Sequence, residues 1–358
     1  MTASPARHHL STTPETASWG WLPNQDTPFV LSVDPGDVVD TVSHEGILED
    51  QGRDPVVFFA RNGVDPAGVL DDAIAMAGSD LHRGVPGQGP HVVTGPIEVR
   101  GAQVGDVVSI YVHDLEMRAP YGVISNRHGK GALPGEMPLD AAAVTSTFAR
   151  TEPLDHLDPD GGRIGVIDVA RRTSAGGPAS LRFPLHPFLG LVGVATAGAS
   201  LGSVPPGRHG GNLDVALLGK GTWLHLPVLV PGAGIHVGDP HFSQGNGEVA
   251  LTAFEAPLRA RLSFTVTPAA ALAEGESALF PLGETPDAWI PIGLDLDLRE
   301  AMKACVRNAL LLLEIRHGVD RPTALAYLSA AVDFSVSQVV DVVTGVHAAI
   351  RKADLLRL

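Results

Sequence analysis

Turn-forming residues set the limits on this fold. Between residues 28 and 267, clusters of Gly, Pro, Asn and Asp break the chain about every eight to twelve residues, as at Asp34-Pro35-Gly36-Asp37 and Gly84 to Gly89. The intervening segments are too short for long helices, and several alternate. In Val107 to Leu115, Val108, Ile110, Val112 and Asp114 fall on one side, with Val107, Ser109, Tyr111 and His113 on the other. Arg261 to Thr267 repeats the pattern, with Leu262, Phe264 and Val266 inward. The chain carries 41 glycines and 29 prolines in 358 residues, about a fifth of the total against a usual ~12%. Because 44% of it is hydrophobic, that content marks tight turns rather than disorder. The expected fold is mainly β: an antiparallel, jelly-roll-like β-sandwich.

The last ninety or so residues change period. Met302, Cys305, Ala309, Leu312 and Leu313 recur at helical spacing within Arg299 to Arg316, and Gly318 follows as a stop. Asp320 to Ala331 reads as a second helix capped by Asp320, and Val336 to Ala349 as strand. The expected organisation is a loose lead-in over residues 1–27, a sandwich over 28–270 and a C-terminal α+β portion over 271–358 packed on it.

A formal charge of −15 with no basic cluster argues against nucleic-acid binding. The single cysteine, Cys305, excludes a disulfide framework, and its apolar helical face makes it a core residue. No apolar run reaches the ~18 residues of a spanning helix and the N-terminus has no apolar leader, so no membrane association and a cytoplasmic location are expected.

Chemistry concentrates in Gly238-Asp239-Pro240-His241-Phe242-Ser243-Gln244-Gly245-Asn246-Gly247-Glu248. Asp239 and His241, two apart on an extended chain, project to the same face. Asn246-Gly247 reads as a hairpin turn that brings Glu248 to the same end, and two carboxylates beside an imidazole suit a metal ion. On an unbroken return strand Glu248 and Glu255 face opposite ways. A second rim, Gly207-Arg208-His209-Gly210-Gly211-Asn212-Leu213-Asp214, pairs two glycines with polar groups. Two further features are the adjacent His44-Glu45 and a candidate binding loop from Pro120 to Gly135 with Arg127, His128 and Lys130.

Three segments, Thr94 to Val99, Gly207 to Asp214 and Gly238 to Glu248, together with Ala326 to Asp341, resemble the acetamidase/formamidase family. The resemblance covers roughly residues 28 to 358. It implies a β-rich sandwich, hydrolysis of a short aliphatic amide to carboxylate and ammonia, metal dependence and a homo-oligomer. Where the family has Asp in Q-G-D-G-E, this chain has Asn246: if that Asp is a ligand or base its charge is lost here and activity is altered, whereas if it shapes the turn Asn replaces it near-isosterically, which is the favoured reading.

An amide is a poor electrophile with a poor leaving group, and the chain has no G-x-S-x-G elbow to supply a serine nucleophile. A divalent ion that polarises the carbonyl and acidifies water meets the need; imidazole and carboxylates without thiolate suit zinc, with iron, cobalt or manganese as alternatives. The expected metal ligands are Asp214, Asp239, His241 and Glu248, with His209 as a further candidate. Asn212 and the Gly210–Gly211 backbone are expected to steady the substrate oxygen, and Glu255 or Asp114 to carry the proton. The rival readings are a hydrolase of a lactam or cyclic imide, and a non-catalytic module that binds a small ligand.

Overall fold

The computed structural model describes residues 5–43, 48, 54–127, 129–139, 144–153, 162–172 and 177–356. His44, Glu45 and His128 lie outside the described residues. Among the described residues the strands form a ten-stranded, a six-stranded and a four-stranded sheet. Pairing is antiparallel except where Arg7–Leu10 lies beside Val38–Ser43 and Leu31–Val33 beside Val92–Val99.

Two of the sheets enclose one core, which makes the sandwich. Leu258, Ala260, Leu262 and Phe264 of the strand Leu258–Thr267 are fully buried, and they share a core with Val108, Ile110 and Val112 of Val107–Met117. Ile97, Leu189, Ile235 and Val237 of the six-stranded sheet belong to the same core. The alternate residues Arg259 and Arg261 point outward to Glu116 and Asp40, 2.8 and 2.9 Å away. The period-2 text thus becomes one wet and one dry face.

The C-terminal portion has the expected α+β character. Its long helix, Leu298–His317, is capped by Asp297, whose carboxylate accepts from the Arg299 and Glu300 amides, and stops at Gly318 with φ 65°. Ala301, Cys305, Ala309, Leu312 and Leu313 are its buried stripe. The helix sits close against the strand Ala288–Asp295 because Gly293 has no side chain; a Cβ there would lie 2.2 Å from the Cys305 amide. Arg321–Ala331 is the second helix, with Asp320 accepting from the Thr323 amide. The strands that follow, Phe334–Gln338 and Thr344–Ala348, extend the ten-stranded sheet.

The expectation of a loose lead-in is corrected. Arg7–Leu10 pairs with Val38–Ser43, Ala17–Trp19 pairs with Val92–Val99, and Trp19 and Leu22 are buried. Polar composition conceals these strands because each is short and lies at a sheet edge, with only a few residues turned inward.

Candidate active site

Ile235–His241 is buried along its whole length, between Phe188–Gly193 on one side and Val92–Val99 on the other. It carries Asp239 and His241 into the interior. His241 Nε2 lies 3.1 Å from an Asp239 oxygen and 2.9 Å from Glu255, and Nδ1 lies 3.8 Å from Asp214. Neither ring nitrogen is aligned for a hydrogen bond despite those short approaches. Asp214 follows the strand Gly210–Asn212, so the two glycine-rich rims converge as expected.

What lies beyond His241 differs from expectation. Residues 242–257 form no return strand but an irregular loop, tied down by long-range backbone bonds. The Gly247 amide donates to Ser337 O (2.9 Å), Phe242 N to Phe254 O (2.9 Å) and Glu255 N to Val123 O (2.9 Å). Freed from strand alternation, Glu248 and Glu255 both turn inward, Glu248 to Asp214 and His241, Glu255 to Asp239 and His241. Asp214, Asp239 and Glu248 all have left-handed backbone, with φ 50°, 52° and 48°. Regular strand geometry does not include that conformation, so Asp239 interrupts the strand Ile235–His241 in which it lies, and the cost is borne where the acids must face one another.

Sequence reasoning missed two members. Asp341 lies in the loop between the last two long strands, held by the Gln338 side chain, whose oxygen accepts from the Val340 and Asp341 amides at 2.9 and 3.2 Å. It belongs to the Ala326–Asp341 segment that carries the family resemblance, and that was its only signal. His91 Nε2 lies 3.8 Å from Asp239 while Nδ1 shares a 2.7 Å hydrogen bond with Ser203.

Two expected residues stand elsewhere. Asp114 is corrected: it is half exposed and pairs with Lys220 at 3.0 Å. Arg261 pairs with Asp114 and Leu262 with Val112, so His113 is an extra residue that reverses the alternation and turns Asp114 to the outer face. His209 is buried but does not line the cavity; its ring lies against Gly207 and Gly211. Burial holds His209 down to about 4, so it is neutral. Asn246 is exposed at the turn, apart from the acids.

The centre is electrostatically uncompensated. Asp214, Asp239, His241, Glu248, Glu255 and Asp341 are each at most 7% exposed. Both Asp214 oxygens, one oxygen each of Glu248, Glu255 and Asp341, and both His241 nitrogens have no hydrogen-bond partner. Burial, reinforced by the Asp239 charge, pushes Glu255 up to about 8, and burial pushes Asp341 up to about 8. Asp214 and Glu248 are raised by burial and by neighbouring carboxylates. In Asp239 burial is outweighed by His241 and His91, which hold it below the ordinary carboxylate range. His241 is raised because Glu255 and Asp239 outweigh the burial that would lower it. Buried acids with orphaned oxygens around a buried imidazole fit a divalent cation, which would offset the repulsion that otherwise forces them to hold protons.

A cavity of about 100 Å³ opens onto this centre, lined by Asn212, Asp239, Glu248, Glu255 and Asp341 within, and by His91, Arg127, Lys130 and Leu251. Drug-sized ligands occupy ~300–1,000 Å³, so this space suits a molecule of few atoms.

A two-sheet β fold around a buried carboxylate–imidazole centre defines the class. Residues 191–351 match the model of the acetamidase/formamidase family. The chain is 27% identical over 193 residues to the formamidase of Methylophilus methylotrophus, across 45% of this chain and 47% of that protein. It is 27% identical over 199 residues to the acetamidase of Mycolicibacterium smegmatis, across 44% and 49%. The match thus spans about half the length of the curated relatives. The fold extends further: the crystal structure of the acetamidase from Bacillus halodurans superposes with a TM-score of 0.71 over 98% of this chain and 99% of that one, at 24% identity. Among the described residues no helix is long and apolar enough to cross a membrane.

Proposed function

We propose that this chain hydrolyses a short aliphatic amide, of the formamide or acetamide type, to a carboxylate and ammonia. The observation that carries the reading is the juxtaposition of five buried carboxyl groups and one imidazole with a cavity of only about 100 Å³. The match of residues 191–351 to the acetamidase/formamidase family model supports the same reaction class.

Asp214, Asp239, His241 and Glu248 would hold a divalent metal, zinc first among zinc, iron, cobalt and manganese. Such an ion supplies Lewis acidity and lowers the pKa of water from ~15.7 towards ~7. The protein's own groups do the rest. Asn212 reaches the cavity and can donate its side-chain amide to the substrate oxygen. Glu255 and Asp341, which both line the cavity, can take a proton from the attacking water and return one to nitrogen as the C–N bond breaks. One water is consumed: its oxygen joins the acyl carbon as the C–N bond breaks, one of its protons goes to nitrogen, and the other leaves as the carboxylic acid ionises, so that carboxylate and ammonium are released. The narrow cavity excludes bulk water and bulky acyl groups.

The test is ammonia release from formamide and acetamide by the purified chain, beside lactams and cyclic imides. Release from the linear amides is expected, together with its loss on chelation. Turnover of lactams alone, or none of any substrate by fully metal-loaded protein, would overturn the proposal. Homo-oligomeric assembly belongs to the same reading and is checked by sedimentation.

A further inference from the structure

The cavity changes sign along its length. Its inner end is acidic, with Asp239, Glu248, Glu255 and Asp341 each at most 7% exposed. Arg127 and Lys130 line its outer end, Arg127 half-buried and Lys130 exposed. In a chain of formal charge −15, two cations turned on one small cavity stand out from the background.

The fold builds this placement. On the strand Tyr121–Arg127 the alternate residues Tyr121, Val123 and Ser125 are buried, and Arg127 continues that inward face with its Nε buried. Val123 and Glu255 exchange backbone bonds of 2.9 and 3.0 Å, so the strand starts its outward run level with an acid of the centre. Arg127 follows about 13 Å further along, at the mouth. The turn beyond it is anchored to the same framework. Gly129 and Gly131 have φ 76° and 72°, the Lys130 amide donates to Arg127 O at 3.1 Å, and the Ala132 amide donates to Val249 O, next to Glu248, at 2.9 Å. The backbone that carries both cations is thus fixed relative to the acids. Among the described residues Lys130 has no ion-pair partner.

Formamide and acetamide are neutral and offer these cations nothing to bind. An amide with a carboxylate at its far end uses both ends of the cavity. The buried acids repel that carboxylate, the guanidinium and ammonium hold it with charge-assisted hydrogen bonds, and the neutral amide is left facing Asn212 and the centre. From this we infer that the preferred substrate is the monoamide anion of a short dicarboxylic acid, such as malonamate, with its free carboxylate held by Arg127 and Lys130. This rests on the amide-hydrolase reading above and names its substrate class. The bonds made and broken are the same: water oxygen joins the amide carbon, the C–N bond breaks, and malonamate with one water becomes malonate dianion and ammonium.

The experiment measures ammonia release by the zinc-loaded full chain from malonamate and succinamate, beside the neutral malonamide and succinamide. For each length the anion is expected to have the higher kcat/KM, by about tenfold or more and chiefly through KM. That advantage should shrink as salt is added, because Lys130 is exposed. Arg127→Gln and Lys130→Gln are each expected to cut the anion-to-neutral ratio about tenfold, with KM for the anion rising. An equal fall on anion and neutral amide in both variants means that the two cations support the centre generally, and overturns the inference. Neutral amides turned over by the wild type as well as the anions, or better, overturn the substrate class and leave the proposed function standing. No ammonia from any amide overturns both. The wild-type comparison decides the matter even where a variant fails to fold.

Discussion

Gly190 shows how one missing side chain makes the centre possible. It lies on the strand Phe188–Gly193, and a Cβ there would fall 2.4 Å from Asp214 Oδ1, 2.5 Å from Asp239 Oδ2 and 2.8 Å from His241 Cε1. The first two separations are far inside van der Waals contact with groups that are themselves fully buried, so the carboxylates must move. Gly190→Ala is therefore expected to keep the sandwich, as read by circular dichroism, while reducing bound metal and lowering activity about a hundredfold, the usual effect of a 1 Å misplacement. Full metal content with full activity in that variant would refute the role given to Gly190. Cys305 is the contrasting case. Burial pushes its thiol up to about 12 and its sulfur donates to Pro291 O at 3.3 Å, so it packs the helix and takes no part in chemistry.

At the scale of elements, what decides the site is where regular structure stops. The strand Val107–Met117 follows its alternation as far as Val112, and one bulged residue then reverses the side on which Asp114 emerges. Asp114→Asn is accordingly expected to leave kcat and KM unchanged and to cost no more than the ~0–1 kcal/mol of an exposed ion pair. A loss of turnover at unchanged stability would return Asp114 to the mechanism. The same contrast explains what could be read beforehand. The Asp320 and Gly318 caps, the helix stripe and the strand Leu258–Thr267 were legible because local spacing alone specifies them. The segment after His241 was not. Val249, Leu251 and Ala253 alternate like a strand, yet bonds from Gly247 to Ser337 and from Glu255 to Val123 impose a loop. Those partners lie 90 residues ahead and 132 behind, beyond any local period. Asp341 escaped for the same reason: its role depends on a strand pair that closes against the 238–248 rim only in the folded chain.

Across the whole molecule, the sandwich brings together acids drawn from residues 214 to 341, and the repulsion among them links stability to pH. Glu255 and Asp341 rise from ordinary values near 4.5 and 3.8 to about 8 on folding. Between those limits the folded chain holds protons that the unfolded chain has released, so stability falls as pH rises. His241 acts in the same direction, since a raised imidazole stabilises below its unfolded pKa and loses that contribution as pH climbs through the folded one. Asp239 is held low and acts oppositely, but only in acid, below the range in question. His209, His236 and His347, held down by burial to about 4, 3 and 4, also act oppositely, up to the ordinary imidazole value of 6.5. Metal-free protein is therefore expected to unfold at progressively lower temperature between about pH 7 and pH 8. Divalent cation binding requires the deprotonated acids, so saturating metal should raise the unfolding temperature, and more so at pH 8 than at pH 5. Thermal unfolding followed at several pH values, with chelator and with excess zinc, checks both signs at once. Metal-free protein that grows more stable from about pH 7 to pH 8, or a cation effect larger at acid pH, would mean that these carboxyls do not form the charged centre on which substrate hydrolysis has been proposed to depend.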